Sequence, residues 1–233
     1  MVHLPKLDTC VQQSDRTRAI HQLAACLDIS VAALNPYKET FIVRRYKKGQ
    51  VLYYQDDEVD MLYVLLDGIV MRETLNANGE RYIDLTSRPD MFPIDHVFNY
   101  DDYTEMCTAL DTVEVLMVPK RLIAYLCKTQ PHVFARVYTL LTEAHQLCRQ
   151  RNLALLGKNA EQQVIYTLHA LCTSIGNDQG EFYELNHVLT IKLLSEMVGI
   201  SRESTSMIIH QLMDQHYIVK DKKMWLIRKA LYD

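Results

Sequence analysis

The sequence predicts an α+β chain: an antiparallel β-roll, then a long helix, then a helix-turn-helix with a β-hairpin. Three observations carry this reading. Six short β-type runs separated by turns with glycine or asparagine occupy residues 41–118. Apolar residues at alternating spacings of three and four follow from Val137 onward. Finally, Leu189 to Ile227 reads as helix, glycine, helix, strand, polar turn, strand.

Residues 1–36 form the first unit, an arm that is loose and polar to about residue 18. Helical periodicity at Ile20, Leu23, Ala24 and Leu27 comes next, then a short helix around Val31 to Leu34 that Asn35-Pro36 is expected to stop. Residues 37–118 are the roll. Its runs are Phe41–Val43, Val51–Tyr54, Leu62–Leu66, Ile69–Met71, Tyr82–Leu85 and Val113–Val118. The turns fall at Lys48-Gly49, Asp67-Gly68 and Asn76-Ala77-Asn78-Gly79.

Residues 119–156 supply a short helix opened by Pro119 and a long one beginning at Pro131. On the long helix Val137, Leu140, Ala144, Leu147, Arg151 and Ala154 make an a/d seam, which Arg151 interrupts. A second apolar stripe, Phe134, Tyr138 and Leu141, means the helix has surface for two neighbours. We read the seam as a homodimer contact; the alternative is a helix packed only on its own roll. Leu155 to Asn159 is the hinge to a last unit, residues 157–233. There, Ala160–Ile175 is a helix with Val164, Ile165, Leu168 and Leu171 on its buried side, followed by a polar loop and a small strand at Phe182–Leu185.

In the helix-turn-helix, Leu193, Leu194, Met197 and Val198 are the buried face of the first helix. Gly199 supplies the turn because only glycine enters positive φ without steric cost. Ser201 is an N-cap, with Ser204 three residues on. The second helix buries Thr205, Ile208, Ile209 and Leu212, leaving Arg202, Glu203, Ser206 and His210 outward. Arg can bind guanine O6 and N7 together, and Glu can accept from the cytosine amino group. Lys222 and Lys223 at the hairpin tip suit phosphate. Between Arg202 and Lys229 the balance is +3, inside a chain of net charge −4. This permits one focused basic face and argues against indiscriminate nucleic-acid coating. A helix–glycine–helix in an ordinary helical protein is the plainer alternative.

The hydrophobic fraction of 48% suffices for two modest cores within 233 residues. No run of 18 apolar residues and no apolar signal-peptide core is present, so a cytoplasmic protein without membrane contact is expected. Cysteines 10, 26, 107, 127, 148 and 172 show no CxxC spacing and do not cluster with histidine, so no Fe–S or zinc site is expected. They read as reduced structural thiols, with Cys10 in the polar arm as the exception. No nucleophile–base pair, glycine-rich phosphate loop or metal motif points to an enzyme.

The order roll, long helix, hinge and winged helix-turn-helix resembles the Crp/Fnr family of bacterial transcription regulators. Val198-Gly199-Ile200-Ser201-Arg202-Glu203-Ser204 is similar to the family's G-x-S-R-E-T signature. The stretches TALDTVEVLMVP, LTIKLLSEMVGISRES and MWLIRKALY look closest to a Gram-positive branch that regulates arginine deiminase genes. The resemblance implies a cyclic-nucleotide-binding-like roll, a dimerisation helix, RNA polymerase as a partner and a palindromic operator of TGTGA-like half-sites. It also implies an activator of arginine catabolism. Arg202 and Glu203, with Ser206 beside them, would read bases; Thr190, Ser201, Ser204 and His210 would meet the backbone. The family's further contact is usually an Arg four residues after the Glu. Here that position is Met207, so one base pair is either read loosely or met by apolar contact with a thymine methyl.

The family's cyclic-AMP binders carry a Gly-Glu pair and, ten residues after the Glu, an Arg followed by Ser or Thr. Asp95 stands for the Glu here, Glu105 for the Arg and Met106 for the hydroxyl residue. A carboxylate repels a phosphate, so cyclic AMP in the usual mode is not expected. Asp95, Glu105 and Met106 then mark either a pocket for an unknown small effector or a solvated loop. Cys10 and Cys26 do not supply four cluster ligands, and no cofactor is predicted. The rival function is a small-molecule or redox sensor that binds DNA only with its effector, or has lost its DNA contacts.

Overall fold

The computed structural model describes residues 13–87, 90–155, 159–185, 188–221 and 224–232. Cys10, the hinge residues Leu156 to Lys158 and the tip lysines Lys222 and Lys223 lie outside these, as does the side chain of Ala154. No described helix is long and apolar enough to cross a membrane.

Helix α1 (Gln13–Leu27) begins seven residues before Ile20, the first residue of its apolar repeat, in a polar stretch that periodicity cannot register. Its buried stripe is Ala19, Leu23, Ala24 and Leu27. After α2 (Val31–Leu34), Asn35-Pro36 does not end the helical backbone. A 3-10 segment runs through Asn35–Thr40 with the proline in its first turn, where no N–H is needed.

The roll strands are β1 (Ile42–Tyr46), β2 (Val51–Tyr53), β3 (Met61–Asp67), β4 (Val70–Leu75), β5 (Arg81–Thr86), β6 (Met91–Phe92), β7 (Met106–Ala109) and β8 (Val113–Pro119). They build two antiparallel four-stranded sheets, β1-β8-β3-β6 and β2-β7-β4-β5. Strands β6 and β7 escaped the sequence reading because one is two residues long and the other mixes polar and apolar residues. Gly68 makes the β3–β4 corner at φ +89°, and a Cβ there would meet the Thr112 carbonyl oxygen at 2.5 Å. Between the sheets lies an aromatic core of Tyr46, Tyr53, Tyr63, Phe92 and Tyr103. Tyr53 stacks on Tyr103 with ring centroids 4.0 Å apart.

The outer face of the first sheet (Leu62, Val64, Leu116, Val118) packs on α1, α3 (Lys120–Thr129) and α4 (Pro131–Leu155). This corrects part of the a/d assignment. Val137 is 4% exposed inside the chain's own core, and Leu140 packs against the same cluster. Val133, Val137 and Leu140 share the face that the roll covers. Ala144 and Leu147 remain exposed where α4 runs past the sheet. The open stripe over the first half of the helix is Phe134, Tyr138 and Leu141, at 48%, 60% and 37% exposure.

The remaining elements are α5 (Ala160–Ile175), β9 (Asn177–Gln179), β10 (Phe182–Leu185), α6 (Ile191–Val198), α7 (Arg202–Asp214), β11 (Ile218–Asp221) and β12 (Met224–Arg228). The expected hairpin of β11 and β12 belongs to a larger sheet, β11-β12-β10-β9. Its buried Trp225 and Ile227 join Leu168, Leu194, Ile208 and Leu212 in one core. That core continues into Ile69, Ile83 and Leu85 on the outer face of the second roll sheet.

Candidate nucleic-acid interface

The start of α6, the turn between the two helices and the start of α7 are each specified by a local residue. Thr190 caps α6, its Oγ1 accepting the Leu193 N–H at 3.1 Å. Gly199 ends α6 at φ +80°, the left-handed conformation that turns the chain into α7. Ser201 caps α7: its Oγ accepts the Ser204 N–H at 3.0 Å and donates to Ser204 Oγ at 2.9 Å. The buried Thr205 hydroxyl donates back to the Ser201 carbonyl at 3.0 Å. The serine that replaces the usual capping-box carboxylate therefore still closes the first turn.

Thr205, Ile208, Ile209 and Leu212 point α7 into the core. Arg202, Glu203, Met207 and His210 are left exposed and Ser206 half-buried, on one open face. The sequence placed Arg202, Glu203 and His210 outward as the structure does, whereas Ser206 is less open than expected. His210 Nδ1 lies 2.7 Å from the Ser206 carbonyl, so Nδ1–H donates and holds the ring along the helix. Arg202 and Glu203 make no ion pair among the described residues.

The basic charge near α7 is partly spent within the chain. Arg228 stacks on Phe182 at 5.3 Å, and Lys229 Nζ pairs with Asp178 at 2.7 Å. Lys220 Nζ sits 4.6 Å from the centre of the Trp225 ring. The +3 balance counted along the sequence thus overstates what this face presents.

Asp95, Glu105 and Met106 are not gathered round one common partner. Asp95 Oδ1 accepts from Nδ1 of the fully buried His96 at 2.9 Å, and His96 Nε2 accepts the Thr104 N–H at 3.2 Å. Burial pushes the Asp95 carboxyl up, but the hydrogen bond from His96 holds it below its ordinary value. Glu105 accepts from Tyr53 Oη at 2.9 Å and Arg72 Nη1 at 3.4 Å, and Arg72 Nη2 reaches Asp84 at 2.6 Å. Met106 lies on β7 opposite Glu73. The chain's own guanidinium thus occupies Glu105, which the sequence left as either an effector contact or part of a solvated loop. Burial alone would lower the Arg72 pKa, but Glu105 and Asp84 raise it above its ordinary value. Burial also pushes the Tyr53 phenol and the Cys107 thiol well up. Sequence reading missed Arg72; the one signal was a lone arginine in a strand between apolar runs.

Arg151, expected in the dimer seam, is instead a strut within the chain. Its Nη1 donates to the Ile83 carbonyl of β5 at 2.6 Å, and its Nη2 to the Met197 carbonyl of α6 at 3.0 Å. The same guanidinium lies 4.6 Å from the centre of the Tyr82 ring. Arg81 of β5 pairs with both Glu73 and Glu196. Ser87 Oγ donates to the Ser174 carbonyl at 3.0 Å. Together these seat α6 and the end of α5 on β5 and the residue that follows it.

Residues 43–130 match the family model for the cyclic nucleotide-binding domain. Over 218 residues the chain is 39% identical to the HTH-type transcriptional regulator ArcR of Staphylococcus haemolyticus, covering 94% of this chain and 96% of that one. Among solved structures, FixK2 of Bradyrhizobium japonicum superposes with a TM-score of 0.72 at 16% identity, covering 82% of this chain and 96% of that one. A CRP-family transcriptional regulator of Thermus thermophilus superposes at 0.65 and 16% identity, covering 81% and 94%. At such identities the two structures speak for the fold alone.

Proposed function

Because the chain belongs to the Crp/Fnr family of transcription regulators, in the branch of the HTH-type transcriptional regulator ArcR, it is a DNA-binding regulator and not an enzyme, and we propose that it reads a palindromic operator as a homodimer. The observation that carries this reading is the outer face of α7. It presents an exposed Arg202 and Glu203 at a capped helix start, neither neutralised by an ion pair among the described residues. Arg202 reads guanine and Glu203 cytosine in TGTGA-like half-sites, with Ser206 beside them. The hydroxyls of Thr190 and Ser204 accept at their caps, which leaves each O–H to donate to a phosphate. Ser201 spends its proton on Ser204 and acts through it. His210 and, by their place in the sequence between β11 and β12, Lys222 and Lys223 are further backbone contacts.

The dimer forms through the open side of α4, Phe134, Tyr138, Leu141, Ala144 and Leu147. Bound to its operator, the protein recruits RNA polymerase as an activator of arginine catabolism genes. Cyclic AMP in the usual mode is not its effector. An effector-gated version of the same function is favoured by one strand. β5 carries Asp84, which holds Arg72, and also Arg81, which pairs with Glu196 of α6, and Ile83, whose carbonyl holds the Arg151 that reaches α6.

The test is fluorescence anisotropy with a palindromic TGTGA–six-base-pair–TCACA duplex against a scrambled one, at near-physiological salt. Selective binding without ligand supports a reader competent on its own. Equal affinity for the two duplexes, with or without added cyclic AMP, arginine or oxidant, rejects this half-site.

A further inference from the structure

We infer that Met207 is a specificity-determining residue that reads a thymine through its C5-methyl group. The inference rests on the DNA-reading role proposed above for α7. Met207 is 68% exposed, and no large apolar side chain among the described residues is more so. It does not serve the core, because Ile208, Ile209 and Leu212 already close the inner face of α7. It sits instead among Arg202, Glu203, Ser206 and His210, on the face where every other side chain can form a hydrogen bond.

The chemistry of the side chain narrows what it can recognise. A thioether donates no hydrogen bond and accepts only weakly, so it cannot take the O6 and N7 of guanine as an arginine does. What it offers is flexible, polarizable apolar surface. The base edges of the major groove expose one apolar group, the thymine methyl. Contact between the two removes both from water, and nothing else on a base edge would repay the exposure of Met207.

Position along the helix narrows it further. Met207 follows Glu203 by one turn and lies about 6 Å further along the axis, roughly two base steps. The thymine is therefore expected within about two base pairs of the cytosine read by Glu203.

The experiment starts from a pool of random duplexes selected with the purified full-length protein, so that the probe does not depend on a presumed half-site. Thymines of the selected site are then replaced by deoxyuracil, one symmetric pair at a time, which removes the methyl and leaves every hydrogen bond. One such pair is expected to weaken binding about fourfold per half-site, the effect of one lost methyl contact. Met207→Ala should bind more weakly and lose that sensitivity, while Met207→Arg should move the preference at that pair towards guanine. Equal affinity for thymine and deoxyuracil duplexes at every position overturns the inference, as does a penalty that persists unchanged in Met207→Ala. A preferred site that lacks thymine near the cytosine overturns it while leaving the DNA-reading role standing. A selection that yields no preferred sequence removes both.

Discussion

Arg81 on the roll and Glu196 on the first helix of the helix-turn-helix meet across 3.1 Å, although 115 positions separate them in the chain. Beside them Arg151 ties the Ile83 carbonyl to the Met197 carbonyl. The seat of α6 on β5 is thus polar at its edge and apolar beneath, where Ile83 and Leu85 join the C-terminal core. Arg151→Ala is expected to cost about 2–3 kcal/mol, since two bonds from a charged donor to backbone carbonyls are lost. Glu196→Gln should cost less than about 1 kcal/mol, because solvent reaches both partners of that pair. Urea unfolding of the two variants checks the order. Two separated transitions for Arg151→Ala would show the strut holding the units together; an unchanged midpoint and slope would refute it.

Removing the guanidinium of Arg202 with Arg202→Ala should weaken binding to the selected operator by about 1–3 kcal/mol and leave most non-specific affinity intact. Anisotropy on specific and scrambled duplexes measures both. Equal losses would make Arg202 a phosphate contact.

The two apolar stripes of α4 predict opposite phenotypes. Tyr138→Asp with Leu141→Asp should give a folded monomer with poor operator binding, because each half-site alone contributes part of the interaction. Val137→Asp should instead unfold the protein, because it places an unpaired charge at a site 4% exposed. Light scattering and circular dichroism separate these outcomes. A dimer that survives the double substitution would move the interface elsewhere.

Inside the roll, Arg72→Met leaves Asp84 and Glu105 without their cation and is expected to destabilise by about 3–5 kcal/mol. Adding Glu105→Gln should recover part of that loss, and a double-mutant cycle by thermal unfolding reads the coupling. Cyclic AMP should leave the Tm of the unaltered protein in place. A ligand present at a hundred times its Kd would add about 2.7 kcal/mol of stability, and a Tm rise of that size would show that the roll takes the nucleotide after all.

The C-terminal helices were legible because their specification is local. Thr190, Gly199 and Ser201 act within four residues of themselves, so the ends of α6 and α7 can be read one turn at a time. The same holds for α5, whose start is capped by Asn159, and for the roll strands, which alternate between glycine and asparagine corners. Charge reading was weaker. Arg228 and Lys229 look free along the chain, yet Phe182 and Asp178 meet them from strands about fifty residues earlier.

Sequence alone therefore established the order of the units, the Gly199 turn, the Ser201 cap, and the outward placement of Arg202, Glu203 and His210, since helical periodicity and capping are short-range effects. Only the tertiary structure decided which stripe of α4 the roll covers, that Arg151 serves the chain's own α6, and that Arg72 meets Glu105. The reason is physical. Periodicity shows that a face is apolar but not what will cover it, and the partner of a charge is set by which distant strands the fold brings side by side.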